Sequence, residues 1–502
     1  METDTTALAG KLEMLWPYPQ HLEITGTFPA PKAIRADNLP DWAMDDLRDG
    51  GFSLRDDAPF TLRFHTPESE LPREGYELTL GEKEALLSFS TEAGKRYGLV
   101  TLAQIITLFS RSAAWPRLRI ADAPAIPHRA FMVDLGRSIW SLEMLRKLLR
   151  QLMRLKINLL HLHLIDDELC GVRFPTLPFG SENPYAIPLA ELGPLIEEAA
   201  GYGIKVLLEV ETWGHVASLV YHYPELRGGP GMYGGSSFLI CEATFDLVRK
   251  MLVELVDTVP QTRYLHLGLD EAQWFPGADL PPGFTPCDMI ARYTSMVKEI
   301  GEQRGRDFQL FAYADHAGRE LPSGSDLILQ PWNYWIRNRK AIEKNVAAYA
   351  GSGRKWFPMA GQSMGHHRGA YEATRLWCRL AAGTGRLWGI DIAFWGRNDL
   401  RERFITLFAG AQFAWNPHPA TGIADEEDHE TFDLKVHPIM HHHQTCCRDL
   451  SPHAWQAVEL PYVYRGYFMW NRRHGKPVAP TAPYAATMAD QAFHLEGTAE
   501  EK

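Results

Sequence analysis

YLHLGLDE, residues 264–271, is a run of strand length that is apolar at alternate positions and ends in two adjacent acids. Its alternation predicts His266, Gly268 and Asp270 on one face and Leu265, Leu267 and Leu269 on the other, with Glu271 at the end. The same form, an apolar body with a polar C-terminal end, recurs through the middle of the chain. The other seven instances are AFMVDLGR (130–137), INLLHLHLIDD (157–167), IKVLLEVET (204–212), DFQLFAYAD (307–315), DLILQPW (326–332), KWFPMAG (355–361) and IDIAFWGR (390–397). Amphipathic stretches lie between them. SLEMLRKLLRQLMRLK opens on Ser141, a good helix N-cap with Glu143 two residues on; LAELGPLIEEAAGYG and FDLVRKMLVELVDTV fill the next gaps. Eight such units over about 290 residues predict an α/β fold, a (β/α)8 TIM barrel. The strand ends gather Arg137, Asp166, Asp167, Glu211, Asp270, Glu271, Asp315, Trp332, Trp395 and Arg397. A barrel places its active site on that face, whereas an open doubly wound sheet has no reason to collect carboxylates there.

Outward from the barrel, residues 1–125 predict a small α+β domain. TLRFHT, YELTL and ALLSFS alternate as short strands, and YGLVTLAQIITLFSR has helical spacing. RIADAPAIPHRA, with prolines at 124 and 127, marks the boundary, so 126–430 is the expected barrel and 431–502 a helical C-terminal extension. The chain has 502 residues, 45% hydrophobic and 23% charged, which suits a large core and excludes disordered or fibrous classes. Its net charge of −11 argues against a nucleic-acid or anionic-membrane partner. It has no apolar run of membrane-spanning length, and METDTTALAGKLEMLW does not read as a signal peptide. Six scattered cysteines (170, 241, 287, 378, 446, 447) read as free thiols, so a cytoplasmic location is expected. The oligomeric state is not legible.

The two acids at 270–271 are the sharpest chemical signal. Neighbouring carboxylates in a partly desolvated site cannot both ionise easily, so one is held protonated. A protonated glutamate beside an ionised aspartate is what glycoside hydrolysis needs: a proton for the leaving oxygen and an anion against developing positive charge. An acidic strand end capping the next helix is the bland alternative. HLHLID (161–166), EVETWGH (209–215) and DLGR (134–137) add His163, Asp166, His215 and Arg137 to the same rim, favouring a site. His161 and His163 share a strand face, yet no H-E-x-x-H or CxxC spacing accompanies them, so no metal is expected. No phosphate-cradling loop is present and no cofactor is expected. RGGPGMYGGSS (227–237) reads as a flexible loop at the barrel mouth, a candidate substrate lid, and the HHH run at 441–443 as surface or packing.

These motifs resemble glycoside hydrolase family 20, the β-N-acetylhexosaminidases. LWPYPQHLEITGTF, GLVTLAQII, IADAPAIPHRAFMVDLGR, HLHLIDD, EVETWGH and HLGLDE carry the similarity, over residues 15 to 275. The resemblance implies retaining, exo-acting hydrolysis of terminal β-linked N-acetylglucosamine or N-acetylgalactosamine from an oligosaccharide or glycoconjugate. It implies substrate-assisted catalysis, in which the 2-acetamido oxygen attacks the anomeric carbon and forms an oxazolinium. Glu271 would be the general acid and later the base, and Asp270 would orient the acetamido N–H. Asp166 and His215 would support the acid. Arg137 would bind sugar hydroxyls, with His163 also on the substrate-binding rim. Trp332 and Trp395 would line the acetamido pocket. The chain departs from the family pattern at several places. Leu269 stands for the motif's second glycine, and Glu211-Thr212-Trp213-Gly214-His215 replaces the usual aspartate before Pro-Gly-His. ELCGVR follows the Asp pair in place of Gln-x-x-Arg. The Tyr-x-Asp that grips the acetamido oxygen is missing near MAGQSMGHH, where Gln362 is the substitute candidate. Arg397 stands for a sugar-reading acid and could pair with an anionic substituent. A carbohydrate-binding barrel without turnover, or a glycosidase for a modified amino sugar, are the alternatives.

Overall fold

The computed structural model describes residues 5–138, 140–181, 183–230, 236–317, 326–362, 370–395, 400–421 and 429–446. The N-terminal domain is a seven-stranded sheet: β1 (His21–Pro29), β2 (Ala33–Ala36), β3 (Ser53–Leu54), β4 (Phe60–His65), β5 (Tyr76–Leu80), β6 (Glu84–Phe89) and β7 (Ala114–Asp122), in the order β1-β7-β5-β6-β4-β2-β3. The expected strands are β4, β5 and β6. The long antiparallel pair β1/β7 escaped sequence reading because β1, HLEITGTFP, is half-exposed along most of its length and gives no clean apolar period. Helix α1 (Glu92–Phe109), capped by Thr91 whose hydroxyl accepts from the Gly94 N–H at 3.2 Å, lies against β5 and β6.

A connector, 123–128, leads to the barrel. Its strands are β8 (Arg129–Asp134), β9 (Leu159–His163), β10 (Lys205–Glu209), β11 (Tyr264–His266), β12 (Gln309–Tyr313), β13 (Ile328–Gln330), β14 (Met359–Gln362) and β15 (Ile390–Phe394). All eight coincide with the predicted runs, and every pairing among them is parallel. The ring closes between β13 and β14 through parallel bridges Leu329–Trp356 and Trp332–Met359, with the Phe357 N–H donating to the Leu329 carbonyl at 2.9 Å. Helices follow the strands: α2 (Leu142–Arg154), α3 (Leu192–Gly201), α4 (Glu242–Thr258), α5 (Pro286–Gln303), α6 (Arg339–Ala350), α7 (Ala370–Ala381) and α8 (Leu400–Trp415). Ser141 caps α2 as expected, accepting from the Met144 N–H at 3.2 Å. After β12 the described residues hold only one helical turn, Ala314–Ala317.

The lumen is filled in layers, because inward residues recur every second position. Ala130, Leu159, Leu207, Phe311, Ile328 and Phe357 make an apolar floor. Two residues on, His161, Glu209 and Gln330, all fully buried, replace that floor with polar side chains. Helix α9 (His429–Cys446) packs on α8, and His443 is buried with its Nε2 donating to the Met14 carbonyl at 3.0 Å. Part of the histidine run is thus packing; residues 447–502 of the expected extension lie outside the described residues. The flanks of the glycine-rich stretch, Arg227–Pro230 and Ser236–Phe238, form an antiparallel ribbon, where a loop was expected. Among the described residues no helix is long and apolar enough to cross a membrane, and Cys170, Cys241, Cys287 and Cys378 are in no disulfide.

Candidate active site

Each strand stops short of its polar end, so the site is built by the first residues of the following loops. β11 shows how. Regular structure ends at His266, and Gly268, Leu269 and Glu271 all take positive φ, at 67°, 80° and 45°. The alternation of faces expected through Asp270 therefore does not continue. The left-handed turn instead swings Asp270 and Glu271 toward one group, His215, which is itself at φ 51°. His215 Nε2 lies 3.3 Å from Glu271 Oε2 and 3.7 Å from Asp270 Oδ2. Glycine is required where the loops touch: a Cβ on Gly268 would fall 2.1 Å from Glu211 Oε2, and one on Gly214 2.3 Å from the Asp270 carbonyl.

Behind the histidine, Nδ1 shares a hydrogen bond with Asp167 Oδ2 at 3.0 Å and sits 3.5 Å from Asp166 Oδ1. Asp166 was the expected partner; Asp167 is the nearer one. Asp167 Oδ1 also accepts from the Ala217 and Ser236 N–H groups, each at 3.0 Å, tying two loops to the histidine. Asp166 is drawn away by Arg137 (2.5 Å) and by the His163 Nε2 (2.7 Å). Arg137 also faces Glu168 at 3.2 Å and Asp134 at 3.4 Å, and its guanidinium lies over the Trp395 ring at 5.3 Å. Its side chain is only 8% exposed, so the residue predicted to hold sugar hydroxyls is enclosed by these acids.

Burial pushes the Asp270 carboxyl up to about 7, with Asp315 and Glu271 adding to the rise and the His215 charge opposing it. Asp270 was expected to be the ionised partner, yet in the free protein its burial makes it resist charge. Glu211 is raised further, well above the carboxylate range, by burial beside Asp270 and Glu209. Asp315, whose Oδ2 accepts the Glu271 N–H at 3.2 Å, is raised by burial to about 6. Burial also works against charge on Asp166, but Arg137 and His215 outweigh it and hold the group well below the usual range. His215 is held well above 6.5, since Asp166 and Asp270 outweigh its burial.

Aromatic side chains cluster beside the acids: Tyr313, Trp332, Tyr334, Trp335 and Trp395, packed with Met132 and Met359. Trp332 stacks on Tyr334 with centroids 5.5 Å apart. The Trp395 Nε1–H donates to the Tyr334 hydroxyl at 2.8 Å, which in turn donates to the Met359 thioether at 3.1 Å. His163 meets the Trp395 ring edge-on at 5.0 Å. Gln362 is buried, its Oε1 accepting the Thr406 hydroxyl at 2.9 Å. Arg397 lies outside the described residues. Sequence reading passed over Tyr313, Tyr334 and Glu209; a charge inside the apolar run KVLLE (205–209) was the signal for the last. Ligand atoms of Asp134, His163 and Asp166, of His163, Glu209 and Glu211, and of Asp166, Asp167 and His215 converge within 4.8 Å. Arg137 already supplies a cation to Asp134 and Asp166.

A closed parallel barrel with two acids sharing one histidine beside an aromatic cluster has the plan of a barrel glycoside hydrolase. Two family models match: the glycosyl hydrolase family 20 catalytic domain over residues 126–309, and domain 2 of the same family over 14–123. Together they span more than half of the chain, which belongs to glycosyl hydrolase family 20. The chain is 29% identical over 237 residues to a Cellulomonas fimi β-N-acetylhexosaminidase, covering 43% of this chain and 47% of that protein. It is 30% identical over 215 residues to the Rattus norvegicus β-hexosaminidase subunit alpha, 40% of each. The matched stretches thus span less than half the length of these curated relatives. Among solved structures, Flavobacterium johnsoniae chitobiase superposes with a TM-score of 0.68 at 18% identity, covering 89% of this chain and 74% of its own. The Streptomyces coelicolor A3(2) β-N-acetylhexosaminidase gives 0.65 at 21% identity, covering 87% and 96%. At these identities the likeness shows the fold.

Proposed function

We propose that the protein is a retaining exo-β-N-acetylhexosaminidase that releases terminal β-linked N-acetylglucosamine or N-acetylgalactosamine by substrate-assisted catalysis. The observation that carries this is the placement of Asp270 and Glu271 on one imidazole nitrogen, beside the aromatic cluster of Trp332, Tyr334 and Trp395. The cluster takes the apolar face and methyl group of a bound acetamide. Glu271 protonates the leaving oxygen while the acetamido oxygen attacks the anomeric carbon, and it then takes a proton from the water that opens the oxazolinium. Asp270 accepts the acetamido N–H; that contact favours its charged form just as positive charge develops on the ring. Holding the internal nucleophile in line supplies a large effective molarity. Tyr334, whose O–H donates to the Met359 thioether, supplies a phenol in the aromatic cluster for the acetamido oxygen, a role expected of Gln362. A vicinal relative from Vibrio harveyi was solved with N-acetylglucosamine, which supports the substrate class.

Chromogenic β-glycosides of N-acetylglucosamine, N-acetylgalactosamine, glucose and galactose test the reading. Turnover confined to the two acetamido sugars, and strong inhibition by a thiazoline mimic of the intermediate, are expected. Glu271→Gln should lower kcat by roughly 10²–10⁴-fold on substrates whose leaving group needs a proton. Silence across the panel would overturn the assignment.

A further inference from the structure

Below the acid pair, carboxylates and imidazoles alternate down into the barrel: Glu271, His215, Asp166, His163, Glu209, His161, Asp391. The upper half is the site described above. The lower half continues it, with His163 Nδ1 at 2.9 Å from Glu209 Oε2, His161 Nε2 at 2.9 Å from the same oxygen, and His161 Nδ1 bonded to Asp391 Oδ2 at 2.7 Å. The two contacts to Glu209 are ion pairs rather than aligned hydrogen bonds. Gln330 Nε2 donates to Asp391 Oδ2 at 2.9 Å and closes the end. Glu209, His161 and Asp391 are each fully buried and lie a layer beneath any substrate.

Resting on the hydrolase reading, we propose that Glu209 is a positioning residue for the reaction: its carboxylate, at the hub of three buried imidazoles, fixes His163 against Asp166 and so sets the charge that His215 presents to Glu271. The third imidazole is His266, with Nδ1 3.1 Å from Glu209 Oε1 and also accepting the Gly268 N–H at 3.0 Å. The hub therefore touches the base of the turn that carries both acids. Around Glu209 stand His161 and His163 from β9, His266 from β11 and the Tyr313 hydroxyl from β12, which donates at 3.3 Å. Glu211 and Asp270, both acids that resist charge, face it, and Asp134 and Asp391 flank its histidines. The balance agrees: burial opposes charge on Glu209, but His163 and His161 outweigh it, and His161 is lifted to about 9 by Asp391 and Glu209 against its burial.

Glu209→Gln keeps the shape and removes the anion, leaving the positive field of His161, His163 and Arg137 less opposed. That field favours loss of the proton from the donor, so the basic limb of the kcat–pH profile should move to lower pH by about half a unit or more. kcat should fall by about tenfold, with KM changed much less. Asp391→Asn, farther away, should move the limb in the same direction by less, and decides the matter if Glu209→Gln is not recovered folded. A profile that is only scaled down, with both limbs in place, overturns the proposal and makes Glu209 a packing residue. Wild-type silence on acetamido sugars would overturn the hydrolase reading instead.

Discussion

Asp270 is surrounded by Glu211, Glu271, Asp315 and Glu209, and His215 stands against them. Its carboxyl ionises near 7 when folded and near 4 in an unfolded chain. Between those values the folded protein binds a proton that the unfolded chain has lost, so this group's contribution to stability declines as pH rises from about 4 to about 7. Asp270→Asn removes the titration. It should melt higher than wild type above pH 7 and nearly together with it at pH 4, while kcat on acetamido substrates drops by roughly 10²-fold. A melting difference that is the same at both pH values would contradict the assignment. The pairing of two acids was legible at 270–271. That Asp270 resists ionisation was not, because that depends on its burial and on Asp315 arriving from another strand.

At the scale of elements, the strand-to-loop turn after β11 is where local rules are broken. Leu269 occupies φ 80°, a conformation that costs an L-residue about 1–2 kcal/mol. Its side chain is fully buried in the main barrel core, and losing a buried leucine costs about 2–5 kcal/mol. Burial wins, so Leu269→Gly should destabilise by about 1–3 kcal/mol despite relieving the backbone, as read from denaturant midpoints. An increase in stability would show that strain dominates. The strands were visible because each carries an apolar run of the right length. Their early ends were not, since nothing in LHLGLDE announces three left-handed residues.

At the scale of the molecule, the barrel and the N-terminal domain share a buried joint. Trp415, at the end of α8, sits in the N-terminal core, and its Nε1 donates to Asp122 at 2.9 Å. Lys156 Nζ reaches Asp122 Oδ2 at 3.0 Å, and both side chains are fully buried. Arg129 pairs with Glu74 at 2.8 Å and lies over the Trp415 ring at 5.0 Å. Breaking a buried ion pair from one side leaves an uncompensated charge and costs about 3–5 kcal/mol. Lys156→Met should therefore lower the melting temperature clearly, and Asp122→Asn in the same chain should recover much of the loss. An unchanged melting temperature would mean that the joint carries little of the stability.

By itself the sequence determined the order of eight strands, three strands and a helix of the domain ahead of them, and the rim on which acids, histidines and tryptophans collect. Periodicity and strand-end polarity are local properties, readable along the chain. Only the tertiary structure decided that Asp167 rather than Asp166 lies nearest His215, that Arg137 is enclosed by acids, and that Tyr313 and Tyr334 complete the aromatic cluster. It also placed Glu209 at the centre of three imidazoles drawn from two strands. Those outcomes depend on distances between loops far apart in sequence and on the low dielectric that closure of the barrel creates, and neither is written in any single stretch of residues.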